Sequence, residues 1–163
     1  MSTRSLAVMQ ALKARAERIR TANGFATEAG ANVYLGREDL FAEDLPVPCI
    51  TIIEGVVVSS DDKQPQRALY VVNQPISIVG LTESDPNNPL VAGHQLLADL
   101  LRAVFQVRDP ASLPLRKDTL DGLVRELQFD SYEVVPRDDG GRVTCAVLTV
   151  RPVFSLNAAH PDQ

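Results

Sequence analysis

The sequence predicts an α+β domain: mainly antiparallel β-sheet packed against two principal α-helices. Three observations predict it. Leu6, Met9, Leu12, Ala16 and Ile19 recur at helical spacing, and a second helical run opens at Pro89. Elsewhere stand long stretches rich in Val, Ile and Thr, which suit a pleated surface. Those stretches follow one another through polar turns instead of alternating singly with helices. That order indicates hairpins, not a doubly wound parallel sheet.

The first helix is expected over residues 4–21, with Asn23-Gly24 as its stop. Residues 32–35 make a short strand candidate ending at Gly36, followed by a polar loop from Arg37 to Asp44. Cys49 to Val58 reads as a strand. The polar insertion Ser59 to Gln66 has no apolar anchor and is expected to project into solvent. Ala68 to Leu81 reads as a second long strand with Pro75 inside it, and a residue without an N–H belongs at an edge or a bulge. Asn88 and Pro89 suit the cap and first position of a helix running to about Gln106, with Leu90, Leu97, Leu101, Val104 and Phe105 on its buried face. An irregular connection carrying Pro110 and Pro114 follows. The last third reads as a hairpin, Leu123 to Val135 and Val143 to Phe154, reversed at Gly140-Gly141. Residues 1–156 form a single domain in this reading, and 157–163 a flexible tail.

A chain of 163 residues fits one such domain. Apolar residues at 45% and charged residues at 23% place it among globular chains, far from disordered or membrane-spanning ones. The start Met1-Ser2-Thr3-Arg4 leads into a charged helix and not an apolar signal core, so a cytoplasmic location is expected. The net charge of −5 lacks the basic footprint that phosphate binding needs, and no Trp is present to stack on bases. The charge is uneven, however. The first helix carries Arg4, Lys13, Arg15, Arg18 and Arg20 against Glu17, whereas the loop after the first strand carries Glu38, Asp39, Glu43 and Asp44 against Arg37.

Catalytic chemistry has little to work with. A nucleophile needs a base, usually His, with an orienting partner. His160 lies in the tail, and His94 is expected to pack at the edge of a leucine-rich helix face. Cys49 and Cys145 each fall in a predicted strand, where a thiol behaves as a small hydrophobe. No Cys-x-x-Cys or His-Glu-x-x-His pattern occurs. Asp61-Asp62 and Asp138-Asp139 lack the ligand alternation of a calcium loop and read as solvated turns. Gly140-Gly141 joins two strands, whereas a phosphate-cradling glycine loop joins a strand to a helix. No catalytic residue, metal site or cofactor is therefore expected.

The order of elements resembles the phage tail-terminator, or tail-completion, family. The stretches that carry the resemblance are the basic N-terminal helix, Gly30-Ala31-Asn32-Val33-Tyr34-Leu35-Gly36-Arg37, and Leu45-Pro46-Val47-Pro48 leading into the strand from Cys49. A strand ending Val79-Gly80-Leu81, the helix after Asn87-Asn88-Pro89, and the hairpin from Tyr132 to Gly141 complete it. The resemblance covers most of residues 5–154. It implies a structural virion protein, in the tail or neck of the particle and in the host cytoplasm during assembly. Such a subunit forms a hexameric ring on the last ring of the tail tube, contacts the tube protein and a head-completion or neck protein, and lets DNA pass its lumen without specific binding. No membrane is involved.

A ring requires one patch to meet a different patch on the next subunit. The opposite signs assign Arg15, Arg18 and Arg20 to one patch and Glu38, Asp39, Glu43 and Asp44 to the other. Two projecting polar segments, Ser60, Asp61, Asp62, Lys63 and Gln64 in one and Arg137, Asp138, Asp139 and Arg142 in the other, are expected to contact tube or neck. The competing readings are another tail or neck component, such as a tube subunit or head–tail joining protein, and a small-molecule-binding regulatory domain, because fold alone does not fix function. An enzyme with dispersed carboxylates stands behind both.

Overall fold

Thr3 starts the first helix because its hydroxyl accepts a hydrogen bond from the Leu6 N–H at 3.3 Å, satisfying one of the donors a helix start leaves open. The computed structural model describes residues 3–40, 45–59, 69–106, 118–136 and 142–157. Helix α1 spans Arg4–Ala16 and buries Val8, Met9, Leu12, Arg15 and Ala16 on one stripe. It is shorter than the sequence predicts, but the chain keeps turning and Ile19 is still fully buried. Leu6, expected on the apolar stripe, is exposed. Gly24 terminates the short 3-10 turn Thr21–Asn23 at φ 79°, a conformation that glycine takes without strain.

Among the described residues seven strands form one sheet, and all pairs but one are antiparallel. They are β1 (Val33–Leu35), β2 (Cys49–Glu54), β3 (Val58–Ser59), β4 (Leu69–Asn73), β5 (Ile76–Glu83), β6 (Glu126–Pro136) and β7 (Val143–Asn157). The exception is β1, parallel to β2. With helix α2 (Pro89–Val104), the architecture is the α+β class expected from sequence.

The predicted strand Cys49–Val58 is divided. Its pairing with β5 and β4 slips by one residue between Glu54↔Ile76 and Val58↔Asn73, so Gly55 to Val57 form a bulge. The predicted strand around Pro75 is also divided, for a different reason. Asn73↔Val153 and Ile76↔Val150 keep one register along β7, so no residue is inserted there. Proline only interrupts the ladder: its carbonyl accepts from Gly55 N at 2.7 Å and Gln74 N donates to Pro152 O at 3.3 Å. Pro75 therefore lies inside the sheet, against the Gly55–Val57 bulge of the neighbouring strand, so of the two expected settings it takes the bulge and not the edge.

Strand β7 is the spine. One side pairs with β5 and then β4, the other with β6, which carries its own bulge between Phe129 and Ser131. Asn157, expected to begin the tail, is the last residue of β7. Both helices lie on one face, α1 over β1 and β2 and α2 over β5, β6 and β7. Alternation then sorts the side chains. Ile50, Ile52, Ile76, Ile78, Ala146, Leu148, Val150 and Phe154 point at the helices and form the core with Leu12, Leu96, Leu97 and Leu100. Cys49, Leu81 and Cys145 point the other way, under a smaller cluster with Tyr34, Leu40 and Leu45.

Helix α2 lies so close to the sheet that a Cβ on Gly93 would stand 2.5 Å from Thr144 Cγ2 and from Val134 Cγ1. Pro89 takes the first helical position as predicted, but Asn88 makes no side-chain cap. Asp85 organises that turn instead, accepting from Asn87 N at 2.9 Å. Leu90 is exposed, a correction to the predicted buried face, and so is His94, which is no packing residue. The burial centres on Gly93, Leu96, Leu97, Leu100, Ala103 and Val104. The predicted connection with Pro110 and Pro114, the reversal at Gly140-Gly141 and the tail beyond Asn157 lie outside the described residues.

Candidate functional site

The predicted basic patch separates on inspection. Arg15 is buried, with its guanidinium donating to the Val104 carbonyl and to both oxygens of the Asp118 carboxylate. It is a core ion pair and not an interface residue, which corrects that assignment. The spacing gave a warning: Arg15 falls on the Val8, Leu12, Ala16 stripe, and a helix does not spare a charge there because it is charged. Arg20 is half-exposed and 3.7 Å from Glu28 Oε2. The Thr21 hydroxyl and N–H both donate to Glu28, and with Arg20 nearby they hold its carboxyl below the usual range. Lys13 pairs with Glu17 one turn on, at 3.4 Å. Arg18 is exposed, and no ion pair to an acidic side chain is seen for it among the described residues.

Glu38 and Asp39 are exposed, as predicted. Their loop crosses to the sheet face away from the helices. The Thr51 hydroxyl, on that face, donates to the Arg37 carbonyl at 2.7 Å, and Leu40 packs with Cys49 and Leu81. Arg37 also lies over the Tyr34 ring at 5.1 Å. Arg18 and the Glu38–Asp39 pair therefore belong to opposite faces of one sheet. Arg142 is exposed where the chain returns to β7, its carbonyl accepting from Ser84 N at 2.8 Å. Glu43, Asp44, Ser60, Asp61, Asp62, Lys63, Gln64, Arg137, Asp138 and Asp139 lie outside the described residues.

Sequence reasoning overlooked the sheet's outer strands. The middle of β6, residues 128–133, is exposed on both faces, and no strand pairs with its outer edge among the described residues. Phe129 and Tyr132 stand there with ring centroids 6.3 Å apart, 51% and 56% exposed. On the other side of the sheet Val56, Val57 and Val58 are exposed at the bulge before β3, Val56 at 80%. Unlike a scattered surface leucine, two apolar groups on opposite margins of one sheet call for an explanation. The sequence signals only that Gln128 to Glu133 lacks the apolar alternation of a covered strand, and it does not say that β6 ends the sheet.

The cysteines are free, and burial pushes both thiols up to about 11, helped at Cys145 by the Glu133 carboxylate. Such thiols are poor nucleophiles at neutral pH. Among the described residues no group of three or more His, Cys, Asp or Glu could hold a metal ion, and no helix is long and apolar enough to cross a membrane. The sequence matches no protein-family model and no curated protein.

Proposed function

We propose that this chain is a structural virion protein that caps a phage tail tube as a ring, ends tube polymerisation and offers the surface to which the head attaches. The element order supports this reading through the family resemblance. The observation that carries it is the placement of unlike surfaces on opposite faces of one sheet: Arg18 on the helix side, Glu38 and Asp39 on the other. A head-to-tail ring needs two different patches that face different ways. Opposite sign adds orientation and register to such a contact.

Mass in solution and electron microscopy of the purified protein test the reading. A closed ring, alone or on added tube protein, is the expected result. Open-ended fibres would identify a tube subunit instead, and a monomer that leaves tube length unchanged would end the proposal. Charge reversal by Arg18→Glu should weaken assembly and alter its salt dependence. Reversal at both positions, Arg18→Glu with Asp39→Arg, should restore part of it.

A further inference from the structure

We infer that Arg102 of α2 joins Arg18 in one guanidinium platform on the helix side, and that its occupant is the Glu38–Asp39 loop of a second copy. The inference rests on the ring reading and adds to it the residue, the loop and the recognition chemistry of the basic half of the contact.

The platform is built on the chain between α1 and β1. Thr21, Ala22, Asn23, Gly24 and Ala26 are exposed there, and none carries a charge or a long side chain. Hydrogen bonds fix this turn from both sides. Asn23 Nδ2 donates to the Arg18 carbonyl at 2.9 Å, and the Gly24 carbonyl accepts from Arg102 Nη1 at 2.7 Å. Only 3.7 Å separates a Cβ built on Gly24 from Arg102 Nη2, so the guanidinium lies against the turn. Two arginines distant in sequence thus flank one short exposed segment.

The charges on this side do not cancel. Lys13 is paired with Glu17, and Arg20 with Glu28. Asp99 is buried, and its oxygens accept from Ala26 and Thr27. Arg18 and Arg102 are exposed, and among the described residues neither is in an ion pair. The partners of Arg102 are neutral, the Gly24 carbonyl and the Phe25 ring at 4.5 Å. A guanidinium carries its N–H donors in one plane. Stacking on Phe25 covers a face of that plane, and one hydrogen bond leaves donors at its edge for a carboxylate, the group whose shape Arg matches. A side chain held in place beforehand also loses less entropy on binding.

The matching anions stand on the other face of the sheet. Glu38 and its neighbour Asp39 are exposed, and Glu38 is in no ion pair among the described residues. The Thr51 hydroxyl holds the Arg37 carbonyl at 2.7 Å, and Leu40 N donates to the Glu38 carbonyl at 3.0 Å, so the loop is displayed from a fixed base. Basic and acidic groups do not meet within one chain, and a second copy brings them together. Two arginines against two carboxylates match in number and in sign. Like charge within each patch opposes a contact between identical faces, which makes the contact head-to-tail.

The test uses the full chain, with mass in solution and the melting transition measured together. Arg102→Glu is expected to weaken association about tenfold at low salt, with the loss shrinking at high salt, because exposed charges are screened. The variant also loses its bond to Gly24, so a second change separates assembly from folding. Glu38→Arg in the same chain should restore association, whereas a fault confined to residues 24–27 would not respond to a residue on the other face. Arg102→Lys keeps the charge and supplies an amine for a zero-length carbodiimide. In a mixture of isotopically light and heavy chains, a mixed peptide joining position 102 to Glu38 is expected. An oligomer indifferent to Arg102→Glu, or one that Glu38→Arg fails to restore and that gives no mixed peptide, overturns the platform and leaves the ring reading in place. Loss of tube-protein binding with self-association intact would assign the two arginines to the tube and overturn it likewise. A chain that stays monomeric, alone and with tube protein, overturns both.

Discussion

The Arg15 guanidinium binds the Asp118 carboxylate and the Val104 carbonyl at once, so a single buried cation fastens the end of α2 to the start of the segment leading into β6. Asp118 in turn accepts from Leu120 N at 2.9 Å and its carbonyl accepts from Leu127 N at 2.7 Å. The pair is therefore a joint between elements and not an ornament of α1. Removing one partner leaves the other charge buried without compensation, which costs about 3 kcal/mol or more. Arg15→Met should lower stability by that order in denaturant titration. An unchanged midpoint would mean that the side chains separate readily into solvent.

Gly93→Ala sets two effects against each other. In an exposed helix the change stabilises by up to ~1 kcal/mol through propensity alone. Here the new methyl would meet Thr144 Cγ2 and Val134 Cγ1, both at 2.5 Å and both carried by strands of the sheet. Overpacking of this kind costs about 1–3 kcal/mol, so the net effect should be destabilising. A raised melting temperature in the alanine variant would show that α2 can lift from the sheet without loss.

Cys49 and Cys145 flank Leu81 on one row of β2, β5 and β7, and burial raises both thiols to about 11. A folded-state value above the unfolded one near 9 means that the folded chain holds its protons longer. The stabilisation is complete below pH 9 and is lost as pH rises towards 11. Denaturant midpoints at pH 8 and pH 10.5 should therefore differ. The difference should shrink in the variant Cys49→Ala with Cys145→Ala, and a drop of equal size there would assign it to other groups.

How legible this was in sequence varied by element. The amphipathic stripe of α1, the Pro89 start of α2 and the Val-rich strands were readable because each follows from local period and propensity. The two divided strands were not, since a one-residue slip at Gly55–Val57 depends on a partner strand distant in sequence. Arg15 was misread because charge was weighed before its place on the buried stripe. The exposed margin of β6 was missed for the opposite reason: strand composition reports that a strand forms, not which strand ends the sheet. Asp99 was missed as well, being one acidic residue in a helix whose partner lies in a loop.

Asp99 accepts from Ala26 N at 3.1 Å, from Thr27 N at 2.8 Å and from Thr27 Oγ1 at 2.8 Å while only 5% exposed. One turn on, Arg102 donates to the Gly24 carbonyl at 2.7 Å and covers the Phe25 ring at 4.5 Å. Together they hold residues 24–27 against α2, and that loop carries the chain from α1 to β1. Asp99→Ala would leave two backbone donors and a hydroxyl without an acceptor, at a cost of about 2–3 kcal/mol. The loss should be local before it is global. Amide exchange at Ala26 and Thr27 should speed up by far more than exchange at Ile78 or Leu148 in the sheet core, and Asp99→Asn, which keeps one acceptor oxygen, should fall between. Uniform acceleration across the chain would instead make the carboxylate a determinant of the whole fold.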